Sequence, residues 1–138
     1  MQRQEVILLK NKPLIVVVDD DESVRKALEN LLSSVGFEVK LFASAEQFLD
    51  SDTSLQTDCA ILDVRLPGLS GPELQQKLAA DGQSIPIIII TAQGDDKTRD
   101  EAVAAGAIAF LKKPVKEEVL LPALESALKR KANEQVLS

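Results

Sequence analysis

The chain has 138 residues, 45% of them hydrophobic, which fits one domain of ordinary size with a real core. Its formal net charge is −6, from 22 acidic and 16 basic residues, a balance that argues against the basic patch a nucleic-acid surface needs. It has no histidine and a single cysteine, Cys59, which excludes Ser-His and Cys-His nucleophile pairs, histidine metal sites, a phosphohistidine on this chain and an internal disulfide.

Residues 1–12 read as a tail ahead of the first strand. Within it Val6-Ile7-Leu8-Leu9 is too short for the apolar core of a signal peptide, and no segment elsewhere is long enough to span a bilayer. The expected location is the cytoplasm, where a lone cysteine stays reduced. Leu14 to Val18 is a largely β-branched run without alternation, as suits a parallel strand buried on both faces. Four carboxylates follow at once, Asp19, Asp20, Asp21 and Glu22. Val24, Ala27, Leu28, Leu31, Leu32 and Val35 then recur at helical spacing, and Gly36 stops the helix. Phe37 to Leu41 reads as a second strand, and Ser44-Ala45-Glu46-Gln47 as a capping box opening a short helix with Phe48 and Leu49.

Cys59 to Leu62 is a third buried strand, and it too ends in a carboxylate, Asp63. A loop over 64–69 holds Pro67 and Gly68, and Ser70-Gly71-Pro72-Glu73 caps a helix carrying Leu74 and Leu78. Ile85 to Ile90 is the fourth strand, ending at Thr91, and a helix from about Asp96 to Ala105 closes on Gly106. Ile108 to Leu111 is the fifth strand, followed by Lys112-Lys113-Pro114. The last helix is expected from about Glu117 to Ala132, with Pro122 inside it predicting a kink or a loose first turn. Residues 133–138 read as a tail, leaving one domain over 13–132.

A β-α unit repeated five times implies a parallel sheet with helices on both faces. In such a sheet ligands bind beyond the carboxyl ends of the strands. The residues at those ends are Asp19 and Asp20, Asp63, Thr91 and Lys113, so they are expected to meet at one edge. Crowded carboxylates repel, and a hard divalent cation such as magnesium can offset them. Asp20 and Asp63 would supply direct oxygens and Asp19 would act through water. One carboxylate is left to act as a nucleophile toward a phosphoryl group, with the Lys113 ammonium and the Thr91 hydroxyl available for the developing charge. Lys113 is preferred to Lys112 because strand alternation points its neighbour to the other side. Arg65 and Gln93 each lie two residues past a site residue, at the expected pocket mouth, where they would tune attack by water.

The stretches "VVVDDDESVRKAL", "AILDVRLPGLSGPEL", "IIIITAQG" and "AGAIAFLKKPV", in this order, make the chain resemble a receiver (CheY-like) domain of a two-component response regulator. Its finer details are similar to receivers of the nitrogen-fixation and nitrate/nitrite regulators. The resemblance implies a flavodoxin-like doubly wound fold with strand order 2-1-3-4-5, and a phosphoryl group passed from a partner histidine kinase in the presence of Mg2+ or Mn2+. It implies Asp63 as phosphoacceptor and Asp20, Asp63 and the Arg65 backbone carbonyl as metal ligands, with Asp19 water-mediated. Thr91 and Lys113 match the switch hydroxyl and the phosphate-facing lysine. Phe110 matches the rotating aromatic, often tyrosine, and keeps only the packing half of that switch. The Lys113-Pro114 bond matches one that is usually cis. The output surface would be the fourth helix, fifth strand and fifth helix, available to a partner or a second copy. Such a domain is a phosphoacceptor with slow autodephosphorylation rather than an enzyme, and contacts neither membrane nor nucleic acid itself.

Blander readings exist for each residue. Asp19 and Asp20 could be helix caps, but Asp21, Glu22 and Ser23 already fill that need. Asp63 could begin a turn, Thr91 could be packing, Cys59 is a small buried hydrophobe, and Lys129-Arg130-Lys131 complements a helix dipole. An aspartate-nucleophile phosphatase would want a second acid where Arg65 stands, and a flavin site would not place four carboxylates against a phosphate. A metal-binding interaction domain not regulated by phosphorylation is the remaining alternative. The sequence leaves open a stand-alone receiver or a piece of a longer regulator with a DNA-binding effector.

Overall fold

A computed structural model describes residues 12–93 and 96–137, with side chains described to residue 133. The predicted tail over residues 1–12 lies outside the described residues except for Lys12. The elements in chain order are β1 (Leu14–Val18), α1 (Glu22–Ser34), β2 (Glu38–Phe42), α2 (Ala45–Asp50), a 3-10 turn (Ser54–Gln56), β3 (Cys59–Asp63), α3 (Gly71–Ala80), β4 (Ile87–Thr91), α4 (Asp96–Ala104), β5 (Ala109–Lys112) and α5 (Glu117–Leu137). The five strands form one parallel sheet in the order β2-β1-β3-β4-β5, the flavodoxin-like arrangement.

The central strands β1, β3 and β4 are buried along their whole length, as their unalternating apolar runs require. Period-two geometry sends their side chains to two separate cores. Val16, Val18, Ala60, Leu62, Ile87 and Ile89 meet Phe48 of α2, Leu74 and Leu78 of α3 and Ala102 of α4. On the other face Ile15, Val17, Cys59, Ile61, Ile88 and Ile90 meet Leu28 and Leu32 of α1 and Leu120, Leu124 and Ala127 of α5. Truncating a fully buried leucine such as Leu124 to alanine would cost about 2–5 kcal/mol.

Helix ends follow the sequence. Asp21 caps α1 by accepting from the Ser23 N–H, and Ser70 and Glu73 form a reciprocal capping box on α3. At the end of α1 Gly36 takes φ +99°, and the N–H groups of Gly36 and Phe37 close onto Ser33 and Leu32 in a Schellman arrangement. The strand edges shift slightly from expectation: β2 starts at Glu38, β4 at Ile87, and β5 extends to Lys112. The larger difference is α5, which continues to Leu137 rather than stopping near Ala132. Nothing after Pro122 breaks it, because residues 123–137 contain no glycine or proline. The helix also runs on through Pro122, which has no N–H to offer the Glu118 carbonyl; both residues are exposed. Among the described residues, no helix is long and apolar enough to cross a membrane.

Candidate functional site

Register decides which side chains meet. Val18 pairs with Leu62, so the residues just past them, Asp19 and Asp63, lie side by side beyond two adjacent strands. Asp63 pairs with Ile90 and Thr91 with Lys112, which brings Thr91 and Lys113 to the same edge. The sequence-predicted residues therefore converge. Asp20, Asp63, Arg65, Thr91, Gln93 and Lys113, with Ala92, line one pocket of about 280 Å³.

Asp19 lies beneath the pocket, against Lys113. It is fully buried, its Oδ1 accepts from the Asp21 N–H at 2.9 Å, and its carbonyl accepts from Arg25 Nη1 at 2.8 Å. Carboxylate oxygens of Asp19, Asp20 and Asp63 all lie within 4.8 Å of one another. Between the two buried acids sits Lys113, whose Nζ is 2.8 Å from Asp19 Oδ2 and 3.0 Å from Asp63 Oδ2. The contact with Asp63 is a hydrogen bond, whereas Asp19 Oδ2 is at ion-pair distance without hydrogen-bond geometry. Three carboxylates with oxygens within 4.8 Å of one another and a single ammonium beside them are what a hard, oxygen-seeking divalent cation fits. Lys112 is exposed, as alternation requires, and the Lys113-Pro114 bond is cis.

The electrostatics follow from burial and proximity. Burial pushes the Asp63 carboxyl above its ordinary pKa, the Asp19 charge adds to this, and the Lys113 bond and the Arg65 N–H oppose it. Burial alone would lower Lys113, but Asp19 and Asp63 outweigh it and hold the ammonium above its ordinary value. Asp21 is held below the usual carboxylate range by its bonds from Ser23, consistent with a cap rather than a ligand.

Thr91 is buried at the pocket wall, but its hydroxyl donates to the Gln93 carbonyl at 2.8 Å and accepts from the Gln93 N–H at 3.2 Å. Phe110, on β5 opposite Ile89, is partly buried against the core that contains Leu62 and Phe48. Sequence reasoning missed two supports. Arg25 was not singled out, although a long cation in the first turn after an acidic run was its signal. Gly71 was read only as part of a cap; a Cβ there would collide with the Asp63 carbonyl, so α3 approaches the phosphoryl-accepting candidate as closely as backbone allows.

Comparison with known proteins identifies the family and the fold. The family model described as the response regulator receiver domain matches residues 15–125. The response regulator protein TmoT of Ectopseudomonas mendocina is 48% identical over 116 residues, 84% of this chain and 53% of that protein. The transcriptional regulatory protein FixJ of Bradyrhizobium diazoefficiens is 41% identical over 122 residues, 88% of this chain and 60% of that protein. Among solved structures, the response regulator StyR superposes with a TM-score of 0.84 at 48% identity, covering 91% of this chain and 64% of that one. FixJ-N superposes at 0.77 with 37% identity, covering 86% and 95%. The chain spans about half the length of the curated relatives it matches. It belongs to the response regulator receiver family, and is a phosphoacceptor signalling domain of the two-component type.

Proposed function

We infer that Asp63 is the residue that takes the phosphoryl group, supplied by a phosphohistidine on a sensor histidine kinase. The observation that carries this is the bond from Lys113 Nζ to an Asp63 carboxylate that lies among three acids in an open pocket. One Asp63 oxygen attacks phosphorus, the P–N bond to the imidazole breaks, and the imidazole nitrogen keeps the electron pair and takes up a proton from water. Lys113 stays on the charge that spreads over the phosphoryl oxygens. A divalent ion, magnesium or manganese, would be held by Asp20, Asp63 and the Arg65 carbonyl, with Asp19 behind a water, and would neutralise charge on the transferring group. Thr91 must release the Gln93 carbonyl before its hydroxyl can donate to a phosphoryl oxygen.

That release, with repacking of Phe110, biases the face formed by α4, β5 and α5 between two states. Val103 of α4 and Val119 of α5 are 55% and 46% exposed and suit this face to a partner or a second copy. Arg65 and Gln93 line the mouth of the pocket and set how fast water removes the phosphoryl group, so the chain loses it slowly without being an enzyme in the turnover sense. Relatives named as transcriptional regulators support a role ahead of a DNA-binding effector, and a cytoplasmic setting suits the free Cys59.

The test is intact mass after incubation with acetyl phosphate. A magnesium-dependent, base-labile adduct that vanishes in Asp63→Asn supports the assignment; an adduct that persists in the variant overturns it.

A further inference from the structure

The loop between β3 and α3 carries Arg65 and joins Asp63 to the helix packed against its carbonyl. Its ends are pinned by backbone bonds, Val64 N–H to Ile90 O and Gly71 N–H to Val64 O. A third anchor comes from elsewhere in the chain. Glu46, in the first turn of α2, accepts from the Leu69 N–H at 2.9 Å across 23 residues. Its carboxylate also occupies the space where a side chain on Gly68 would begin, 2.5 Å from that Cβ position, and Gly68 sits at φ +74°. The positive φ favours glycine there, and a side chain at this position would displace the Glu46 carboxylate from the loop.

The capping of α2 does not explain this acid. Ser44 caps the helix by accepting from the Gln47 N–H, and Gln47 Oε1 reaches back to the Ala43 N–H. Both sides of that cap are filled by Ser44 and Gln47, so the Glu46 carboxylate is free to cross to the neighbouring loop.

We propose that Glu46 is a positioning residue for the metal-binding loop, holding residues 65–69 so that the Arg65 carbonyl is aimed before a cation arrives. The proposal rests on the reading of Arg65 as a ligand. Without the tether the loop keeps more freedom, and the cation must order it on binding, which weakens affinity without changing the ligand set. Glu46→Gln keeps an oxygen acceptor for Leu69, whereas Glu46→Ala removes it. The variants therefore separate the tether from a distant negative charge.

The experiment is isothermal titration of the full chain with magnesium chloride, with amide exchange at Leu69 as a second readout. Glu46→Ala is expected to weaken magnesium binding by about threefold to tenfold, the range of one hydrogen bond, and to speed Leu69 exchange. Glu46→Gln is expected to stay within about twofold of the parent on both readouts. An unchanged dissociation constant in Glu46→Ala overturns the proposal, as does an equal loss in Glu46→Gln, which would assign the effect to charge. A parent chain that binds no magnesium overturns instead the reading of Asp20, Asp63 and Arg65 as a metal site, and this inference with it.

Discussion

Lys113 Nζ stands 2.8 Å from Asp19 and 3.0 Å from Asp63, a single ammonium shared by two buried carboxylates on adjacent strands. Removing it leaves Asp19, which is wholly buried, without its counter-charge. Lys113→Ala should destabilise the fold by about 3 kcal/mol, the scale for breaking a buried pair from one side. Urea unfolding followed by circular dichroism measures this. Adding Asp63→Asn to the variant should restore part of the loss, because it removes one of the two acids left uncompensated.

Asp63→Asn alone should behave in the opposite way. Burial and Asp19 both disfavour the ionised carboxyl, so the neutral isostere should stabilise the metal-free protein, by about 1 kcal/mol at neutral pH. A marked loss of stability in urea would show that the Lys113 bond outweighs the repulsion.

The same two residues set opposite pH dependences in metal-free buffer. Asp63 has a raised pKa, so its ionisation costs stability above that value, and the cost fades as pH falls through it toward about 3.9, the unfolded value. The advantage of Asp63→Asn should therefore shrink in acid. Lys113 also has a raised pKa, and its contribution is full below about 10.4 and lost as pH rises through the folded value. The gap between the parent and Lys113→Met should close at high pH. Unfolding curves across pH for the three proteins test both signs.

Magnesium should protect the fold by mass action. At ten times its dissociation constant the gain is about 1.4 kcal/mol, an increase in Tm of about 4 °C. Asp20→Asn, which alters an exposed residue proposed as a ligand without touching the core, should lose most of that increase while its metal-free Tm stays near the parent's. Thermal melts with and without magnesium would show it.

Cys59 offers an independent probe of opening. It is fully buried at the start of β3, and burial, with the Asp58 charge beside it, pushes its thiol far above the ordinary range. Native protein should resist alkylation by iodoacetamide, and labelling should appear only as the sheet opens. Magnesium should slow it in the parent but not in Asp20→Asn. Rapid labelling of folded protein would contradict the buried placement of this strand.

Much of this was legible in the sequence, for identifiable reasons. Unalternating runs such as Val16–Val18 and Ile87–Ile90 mark strands buried on both faces, and the ends of such strands fix where polar residues gather. Asp20, Asp63, Thr91 and Lys113 could be assembled from those ends alone. What escaped depends on contacts between distant segments. The Glu46 carboxylate reads as part of a helix cap until the fold brings Leu69 beside it, and Gly71 reads as a turn residue until α3 is seen against Asp63. Thr91 does line the pocket, but nothing in the sequence signalled that its hydroxyl would donate to the carbonyl two residues on. The last turns of α5 escaped because residues 133–137 read as a tail, yet they hold no glycine or proline to stop the helix, and it runs on to Leu137.

The shared lysine also sets an account of electroneutrality. Three clustered carboxylates and one ammonium leave two uncompensated negative charges, the amount one divalent ion carries. With such an ion bound the resting cluster would be neutral, with no demand on the dipoles around it. A phosphoryl group brings about −1.5 to −2 in place of the single charge of a carboxylate, so modification opens an imbalance of up to about one charge in a half-enclosed pocket. A rotatable dipole at that wall is the Thr91 hydroxyl, one bond away from release. On the proposed reading, the signal that leaves the site would begin as a local charge mismatch, which the Thr91 hydroxyl can answer by turning.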